Sequence, residues 1–308
     1  MFPEYSHCQL CPRRCGANRL QGQLGVCGES AQCRIASITP HFGEEPCLSG
    51  TNGSGTIFFS GCSCGCLFCQ NFQISHGHQG DLVTQDELLY RVIQLCKKGV
   101  HNLNFVTPDH WWPHIRFICN EIRKANLDIP FVWNTSGYSS LEQLREQTQL
   151  IDIFLPDFKF SDPALARRCM GDSDYPKIAR DAIRLMADKV GFLRPWDTTG
   201  DMTATHGMMV RHLVLPGFVQ NSLQILDWLA EDFGDAVPIS LMSQFTPVPE
   251  CSRQSFLDRT LAHDEYKQVC QRVGELGFRR VYIQDLGGDS DFMPDFNENQ
   301  PFPGNLKH

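Results

Sequence analysis

Short runs rich in β-branched and aromatic residues alternate along the chain with longer stretches whose apolar positions recur three and four apart. The strand-like runs are "TIFFS" (56–60), "NLNFV" (102–106), "FVWN" (131–134), "IDIFL" (151–155), "MMVRHLVL" (208–215) and "PISLM" (238–242), with "RRVYIQ" (279–284) as a seventh candidate. Between them lie helical patterns. In "TQDELLYRVIQLCKKG" (84–99), Leu88, Leu89, Val92, Ile93 and Cys96 share one face; Thr84 and Glu87 make a capping box, and Gly99 marks the end. The stretches 223–234 and 264–277 also close on glycine. Strands alternating with helices predict a parallel sheet with right-handed crossovers, and six or seven such units suit a barrel, open or closed, better than a short flat sheet. Chemistry in such barrels sits at the C-terminal ends of the strands. The stretches that follow the strands, "GCSCGC", "TPDH", "NTSG", "PDFK", "LPG" and "SQFTP", are therefore where a site is expected.

Composition divides the chain into three: a cysteine-rich segment over 1–50, the alternating region over 51–284, and a tail over 285–308 rich in Asp, Asn, Pro and Gly. At 308 residues the chain is long enough to fold without covalent staples. A net charge of −8 argues against binding nucleic acid through its phosphates. No run of apolar residues is long enough to span a membrane, and the first residues hold no signal-peptide core, so a cytoplasmic protein without membrane partners is expected. Fifteen cysteines are many for such a protein, and clustered thiols there point to metal rather than to disulfides.

Cys62, Cys66 and Cys69 have the spacing C-x3-C-x2-C directly after the first strand. Three thiolates so spaced hold three irons of a cubane cluster and leave the fourth open, whereas structural clusters take four cysteines. The competing reading is a zinc knuckle drawing on Cys62 or Cys64, on Cys66 and Cys69, and on a distant thiol. A loop that ends a barrel strand is a poor place for structural zinc. Cys64 is left over and is expected to point away from the cluster.

These residues, with Phe68 and Asn71, are similar to the signature of radical S-adenosylmethionine enzymes. Over nearly its whole length the chain resembles homologues of the pyruvate formate-lyase activating enzyme, in "CQLCPRRC", "HFGEEP", "GSGTIFFSGC", "NTSGY", "LPDFK", "RHLVLPG" and "SLMSQFTP". The resemblance implies an α/β fold, a partial (β/α)6 TIM-like barrel of the radical SAM type behind a small cysteine-rich segment. It implies a 4Fe–4S cluster on Cys62, Cys66 and Cys69, with S-adenosyl-L-methionine on the open iron. One electron, from a donor such as flavodoxin or ferredoxin, would cleave the cosubstrate to methionine and a 5′-deoxyadenosyl radical that abstracts hydrogen. The acceptor would be a backbone glycine of a partner glycyl radical enzyme, or else a small molecule or peptide. A non-catalytic metal-binding interaction protein is the reading from another class.

Cosubstrate contacts are expected at the strand ends. Asp157 and Lys159, two apart and so on one side of an extended segment, match the Asp-x-Lys of the activating enzymes; the competing reading is a surface ion pair. Asn134 and Ser136 stand where those enzymes have an Asp-Thr-Asn-Gly run, or else close a turn or cap a helix. Arg211 offers a fork of donors for the methionyl carboxylate, while His212, on the opposite face, reads as a packed histidine. Gln244 follows the sixth strand. Where the activating enzymes carry Gly-Gly-Glu this chain has "VTPDH", so Thr107 and Asp109 are the substitutes, and Trp111 and Trp112 either wall the substrate or pack. Cys8, Cys11, Cys15 and Cys27 form a complete four-thiol set for zinc or an auxiliary Fe–S cluster, in a segment too poor in apolar residues to build its own core. The other seven cysteines read as packed thiols. His76 and His78 read as a solvated loop rather than a metal pair. Phe292, Phe296 and Phe302 are placed either to pin the tail over the barrel or to lie in a disordered tail.

Overall fold

The computed structural model of the chain describes residues 2–287, 293–298 and 300–302. The described residues form ten strands: β1 (Cys33–His41), β2 (Ser54–Phe59), β3 (Asp81–Val83), β4 (Leu103–Val106), β5 (Phe131–Thr135), β6 (Ile153–Pro156), β7 (Gly207–Met208), β8 (Val210–Leu213), β9 (Ile239–Met242) and β10 (Val281–Ile283). A seven-stranded sheet has the order β3-β1-β2-β4-β5-β6-β7, and a three-stranded sheet the order β10-β9-β8. From β2 to β7, and again from β8 to β10, neighbours pair in parallel. Every position of β2, β4 and β6 is buried, as expected of parallel strands covered on both faces. The two sheets meet at an isolated parallel bridge between Asp157 and Arg211, where Phe158 N–H donates to Arg211 O at 2.8 Å. The sheet does not close, so the fold is the α/β partial barrel that the alternation predicts.

Two features differ from the sequence reading. "MMVRHLVL" is two strands, not one. Met209 is the step between the sheets: its N–H bonds to Phe154 O (3.1 Å), while the N–H of Val210 turns to Pro238 O (3.0 Å). Residues 33–41, read with the cysteine-rich segment, form β1, which runs antiparallel to both β2 and β3. Because β1 runs against β2, its end at His41 lies opposite Ser54, at the start of β2. The residues after His41 therefore reach the floor of the barrel, opposite the cysteine loop.

The helices follow their periodicity. In Gln85–Cys96 the buried side chains are Leu88, Val92 and Leu95, and Thr84 Oγ1 accepts from Glu87 N–H at 3.2 Å, a cap contributing about 1 kcal/mol. Glu87's own carboxylate pairs with Arg91 instead. Among the described residues no helix is long and apolar enough to cross a membrane.

The residues before β1 pack against the barrel through Tyr5, Cys8 and Leu10. Arg19 anchors them from a buried position, only 1% exposed. It donates to Ser30 O (2.8 and 3.0 Å) and His110 O (2.7 Å), and its guanidinium lies over the rings of Tyr5 (4.3 Å) and Trp111 (4.7 Å). A desolvated cation over aromatic faces contributes about 2 kcal/mol, so thiols are not this segment's only hold. At the other end, Phe296 and Phe302 pack on Phe58, Ile74 and Val106. Gln73 ties the tail down, donating to Asp295 Oδ1 (2.9 Å) and accepting from Phe296 N–H (2.8 Å). Phe292 lies outside the described residues.

Candidate active site

Strand ends and the loops after them surround a cavity of about 520 Å³. Cys62, Cys66, Cys69, Thr107, Asn134, Ser136, Asp157, Lys159, Arg211 and Gln244 all line it, although they come from six separate strands and the segments that follow them. Only parallel strands with a common direction bring such positions to one place.

The cysteine loop is fixed from outside. Gly61 has φ +77°, and a Cβ there would meet Cys27 O and Glu29 Cγ, each at 2.6 Å, so only glycine fits. Cys62 N–H donates to Cys27 O (3.3 Å) and Leu67 N–H to Cys169 O (2.8 Å), while Arg13 donates to Ser63 O (2.9 Å) and Met170 O (2.5 Å). Its thiols are thereby held around the void. Among the described residues no group of three or more His, Cys, Asp or Glu side chains is drawn together as ligands of a single ion. A cubane cluster, which offers each thiolate its own iron, asks instead for thiols spaced about a space. Cys62, Cys66 and Cys69, all on the cavity wall, fit that requirement.

Cys64 does not point away. It lines the same cavity, its thiol donates to Ser136 Oγ at 3.1 Å, and its N–H donates to Cys62 Sγ at 3.4 Å. The hydroxyl at the end of β5 gives it a partner inside the site. Hydrogen bonding from Cys64 draws the Cys62 thiol down to about 7 against the effect of burial, while burial pushes Cys69 up to about 12.

Asp157 and Lys159 form an ion pair on the cavity wall, each side chain about a fifth exposed. Burial lowers the lysine's proton affinity, but Asp157 and the neighbouring Cys66 more than restore it, and Lys159 stays protonated well above the ordinary lysine range. Tyr175 braces the pair: its hydroxyl lies 2.9 Å from Ser136 O, Asp157 O and Lys159 N. The Gln244 carboxamide is held by Gln284, which donates to it at 2.9 Å. Thr107 N–H donates to Asn134 O at 2.7 Å, and Thr107 itself has φ +48°. A β-branched residue in that conformation costs about 1–2 kcal/mol, placed here at the rim of the site.

Some expectations are corrected here and some open alternatives are decided. Arg211 lines the cavity, but its guanidinium is engaged by Glu45 (Nε to Oε1, 2.9 Å) and, through Nη2, by both Glu44 and Glu45. It is therefore not held open for a methionyl carboxylate. Asp109 is 1% exposed and off the cavity, accepting from Ser139 (2.6 Å) and Thr135 (2.9 Å); burial raises its proton affinity. Trp111 and Trp112 are buried, donating to Ser60 O and Glu146. His78 bonds to Glu29 (2.8 Å) and His76 to Ser75 (2.9 Å), so each has its own partner. His212 is the packed histidine anticipated, between Phe158 O (2.7 Å) and Ser222 Oγ (2.8 Å).

Cys8, Cys11 and Cys27 are buried and Cys15 is exposed. Cys11 and Cys27 lie close enough to Cys8 to feel its charge, Cys15 hydrogen-bonds with Cys8, and a Cβ on Gly25 would meet the sulfurs of Cys27 (3.2 Å) and Cys15 (3.5 Å). The Arg19 guanidinium reaches Cys8 Sγ at 3.8 Å. Glu44 and Glu45 are the site residues that the strand-end reasoning missed. "HFGEEP" held the signal, but only recognition of β1 would have put it on the barrel.

The family model described as the Radical SAM superfamily matches residues 56–206. An uncharacterized protein of Methanocaldococcus jannaschii is 25% identical over 285 residues, covering 90% of this chain and 77% of its own length. Among solved structures, SuiB of Streptococcus suis bound to S-adenosylmethionine is similar with a TM-score of 0.49 at 11% identity; the match covers 73% of this chain and 48% of that one, about half its length. A domain of pyruvate-formate lyase-activating enzyme from Bacteroides vulgatus gives 0.38 at 16% identity, covering 56% and 92%.

Proposed function

The chain belongs to the radical SAM superfamily, and from that premise we propose that it is a cytoplasmic enzyme that cleaves S-adenosylmethionine reductively and uses the product to take a hydrogen atom from a small molecule or a peptide side chain. The observation that carries the reading is the convergence of Cys62, Cys66 and Cys69 with Asn134, Ser136 and the Asp157–Lys159 pair on one cavity. A 4Fe–4S cluster, when bound and reduced by a donor such as flavodoxin or ferredoxin, supplies the electron that splits the cosubstrate into methionine and a 5′-deoxyadenosyl radical.

The chain's own residues do the rest. Cys62, Cys66 and Cys69 would hold the cluster, one thiolate to each of three irons. Asn134 and Ser136 offer neutral donors and acceptors for hydroxyl or amino groups, and the Lys159 ammonium, kept charged by Asp157, is set to meet an anionic group. Phe68, Val106, Leu213, Leu215 and Met242 line the wall and exclude water from a reactive carbon radical. Cys64, inside the ring of thiols, is a neighbour of the ligand set and not a member of it. The four amino-terminal cysteines, not drawn together as ligands of a single ion, suit a second, closed iron–sulfur centre better than zinc, joined to the first loop through Cys27 O.

Activation of a glycyl radical enzyme is the second reading. Against it stands Phe302, which lines the cavity and sits 4.4 Å from His41 and 5.4 Å from Phe58. A cavity with Phe302 of the chain's own tail in its wall favours a small ligand or single side chain over a loop of a folded partner. The test is anaerobic reconstitution followed by assay for 5′-deoxyadenosine under dithionite. Its production is expected; its absence from protein loaded with iron would overturn the enzyme reading. A glycine-centred radical on a co-incubated partner would restore the activase.

A further inference from the structure

Six large apolar side chains are exposed among the described residues, and two of them, Leu24 (65%) and Val26 (59%), stand on either side of Gly25. Gly25 is the residue whose Cβ would lie 3.2 Å from Cys27 Sγ and 3.5 Å from Cys15 Sγ. The two side chains therefore border the amino-terminal thiols. Of those thiols, Cys8, Cys11 and Cys27 are buried, while Cys15 faces solvent. The set thus has an outer edge, at Cys15, beside apolar surface that the fold leaves uncovered. Apolar side chains gathered at one place, rather than scattered singly, mark a contact surface.

The inner edge of the same set adjoins the cavity. Cys27 O accepts from Cys62 N–H at 3.3 Å, so one residue of this set is bonded, backbone to backbone, to the first cysteine of the cavity loop. Charge selects what can approach the outer edge. Between Tyr5 and Gly28 the chain carries Arg13, Arg14 and Arg19 and no Asp or Glu, although its net charge is −8. The acids that flank the stretch are engaged: Glu4 with Arg116, and Glu29, its side chain 2% exposed, with Arg34 and His78. Glu142 meets Arg14 at 3.5 Å, but both side chains are more than half exposed and water weakens the pair. Arg19, 3.8 Å from Cys8 Sγ, offsets thiolate charge from within. An acidic protein, repelled by the molecule as a whole, finds here a stretch that does not repel it.

We propose that the face around Cys15, Leu24 and Val26 is where the one-electron donor docks, and that an iron–sulfur centre on Cys8, Cys11, Cys15 and Cys27 passes the electron inward to the loop of Cys62. The partner is a small acidic electron-transfer protein of the flavodoxin or ferredoxin class. One electron leaves its reduced cofactor, reduces the amino-terminal centre and moves on to the cavity cluster. The donor ends oxidised by one electron and the cavity cluster reduced by one, and no bond forms or breaks. The proposal rests on the enzyme reading for its purpose, while docking and reduction are measured without S-adenosylmethionine.

The experiment uses the full-length, anaerobically reconstituted protein, reduced in one arm by dithionite and in the other by flavodoxin hydroquinone or reduced ferredoxin. Bleaching of the iron–sulfur absorption reports reduction, and calorimetry with the oxidised carrier reports docking. Leu24→Asp and Val26→Asp add repulsion at exposed positions, where substitution disturbs the fold little. Each should weaken docking about tenfold or more and slow carrier-driven bleaching by a similar factor. Bleaching by dithionite, which needs no docking face, should be unchanged, and that arm also shows that the variants fold and hold iron. Leu82→Asp, at an exposed apolar position on β3, should change neither arm. No reduction of the wild type by either carrier, unchanged docking in both variants, or an equal loss in Leu82→Asp overturns the face. Zinc found at the four thiols overturns the relay. If the expected pattern holds but 5′-deoxyadenosine never forms under dithionite, the enzyme reading falls and the docking face stands.

Discussion

Replacing Lys159 by methionine keeps the apolar stem and removes the charge, which makes it the sharpest probe of the cavity. The backbone should not move, because Lys159 N–H is held by Tyr175 regardless of the side chain. Two unit charges 4 Å apart attract by about 4 kcal/mol at an effective dielectric constant near 20. Lost hydration offsets much of that, and the two side chains remain 20% and 23% exposed, so the net contribution is about 1–2 kcal/mol. Urea unfolding of wild type, Lys159→Met, Asp157→Asn and the double variant isolates this as a coupling energy. The lysine's proton affinity is raised in the folded state, so the stabilisation is complete below the unfolded lysine value and fades as pH rises through the folded one. Measurement near pH 7.5 captures all of it. Iron content should be unchanged, while S-adenosylmethionine affinity, read by anaerobic equilibrium dialysis, should fall about tenfold, the effect of losing one charge-assisted hydrogen bond. A coupling below about 0.5 kcal/mol together with undiminished affinity would return the pair to the class of exposed ion pairs.

Cys66→Ala should lose bound iron and all cleavage, whereas Cys64→Ala should keep both; equal iron loss in the two variants would make Cys64 a ligand. Arg19→Met leaves three buried hydrogen bonds unmade and should cost about 3–5 kcal/mol, with residues before β1 becoming open to proteolysis first; a loss under 1 kcal/mol would show that thiols or metal hold the segment instead. Burial brings His212 down to about 4, so the unfolded chain takes up this proton before the folded one does. Stability should therefore fall with pH between about 6.5 and 4, by up to about 1.4 kcal/mol per pH unit from this residue. His212→Gln should flatten the pH dependence of the urea midpoint; an unchanged slope would mean the ring titrates normally.

The central parallel strands were legible because β2, β4 and β6 are short apolar runs buried on both faces, a pattern that needs no knowledge of its neighbours, whereas β10 has no buried position. The cysteine loop and Asp157–Lys159 were legible for a related reason: their chemistry lies within a few residues of a strand end. What escaped notice depends on distant contacts. β1 reads "CRIASITPH", with alternate burial rather than a continuous apolar run, inside a stretch whose cysteines dominate its composition. The step at Met209 is set by which partner strand each N–H meets. The engagement of Arg211 by Glu45 joins residues 166 positions apart, so spacing along the chain carries no trace of it. Cys64 was judged by its misfit to a motif, and Ser136, which draws it inward, lies 72 positions away.

The bridge between Asp157 and Arg211 has a geometric consequence. Arg211, which grips the two floor carboxylates, is bonded through its own backbone to the segment that carries Asp157 and Lys159. Strand residues advance by about 3.3 Å each, and hydrogen-bonded neighbours cannot slide without breaking register. The buried carboxylates on Arg211 and the ion pair after β6 are therefore coupled through the backbone, and a displacement of β8 that moved Arg211 would carry the wall bearing Asp157 and Lys159 with it.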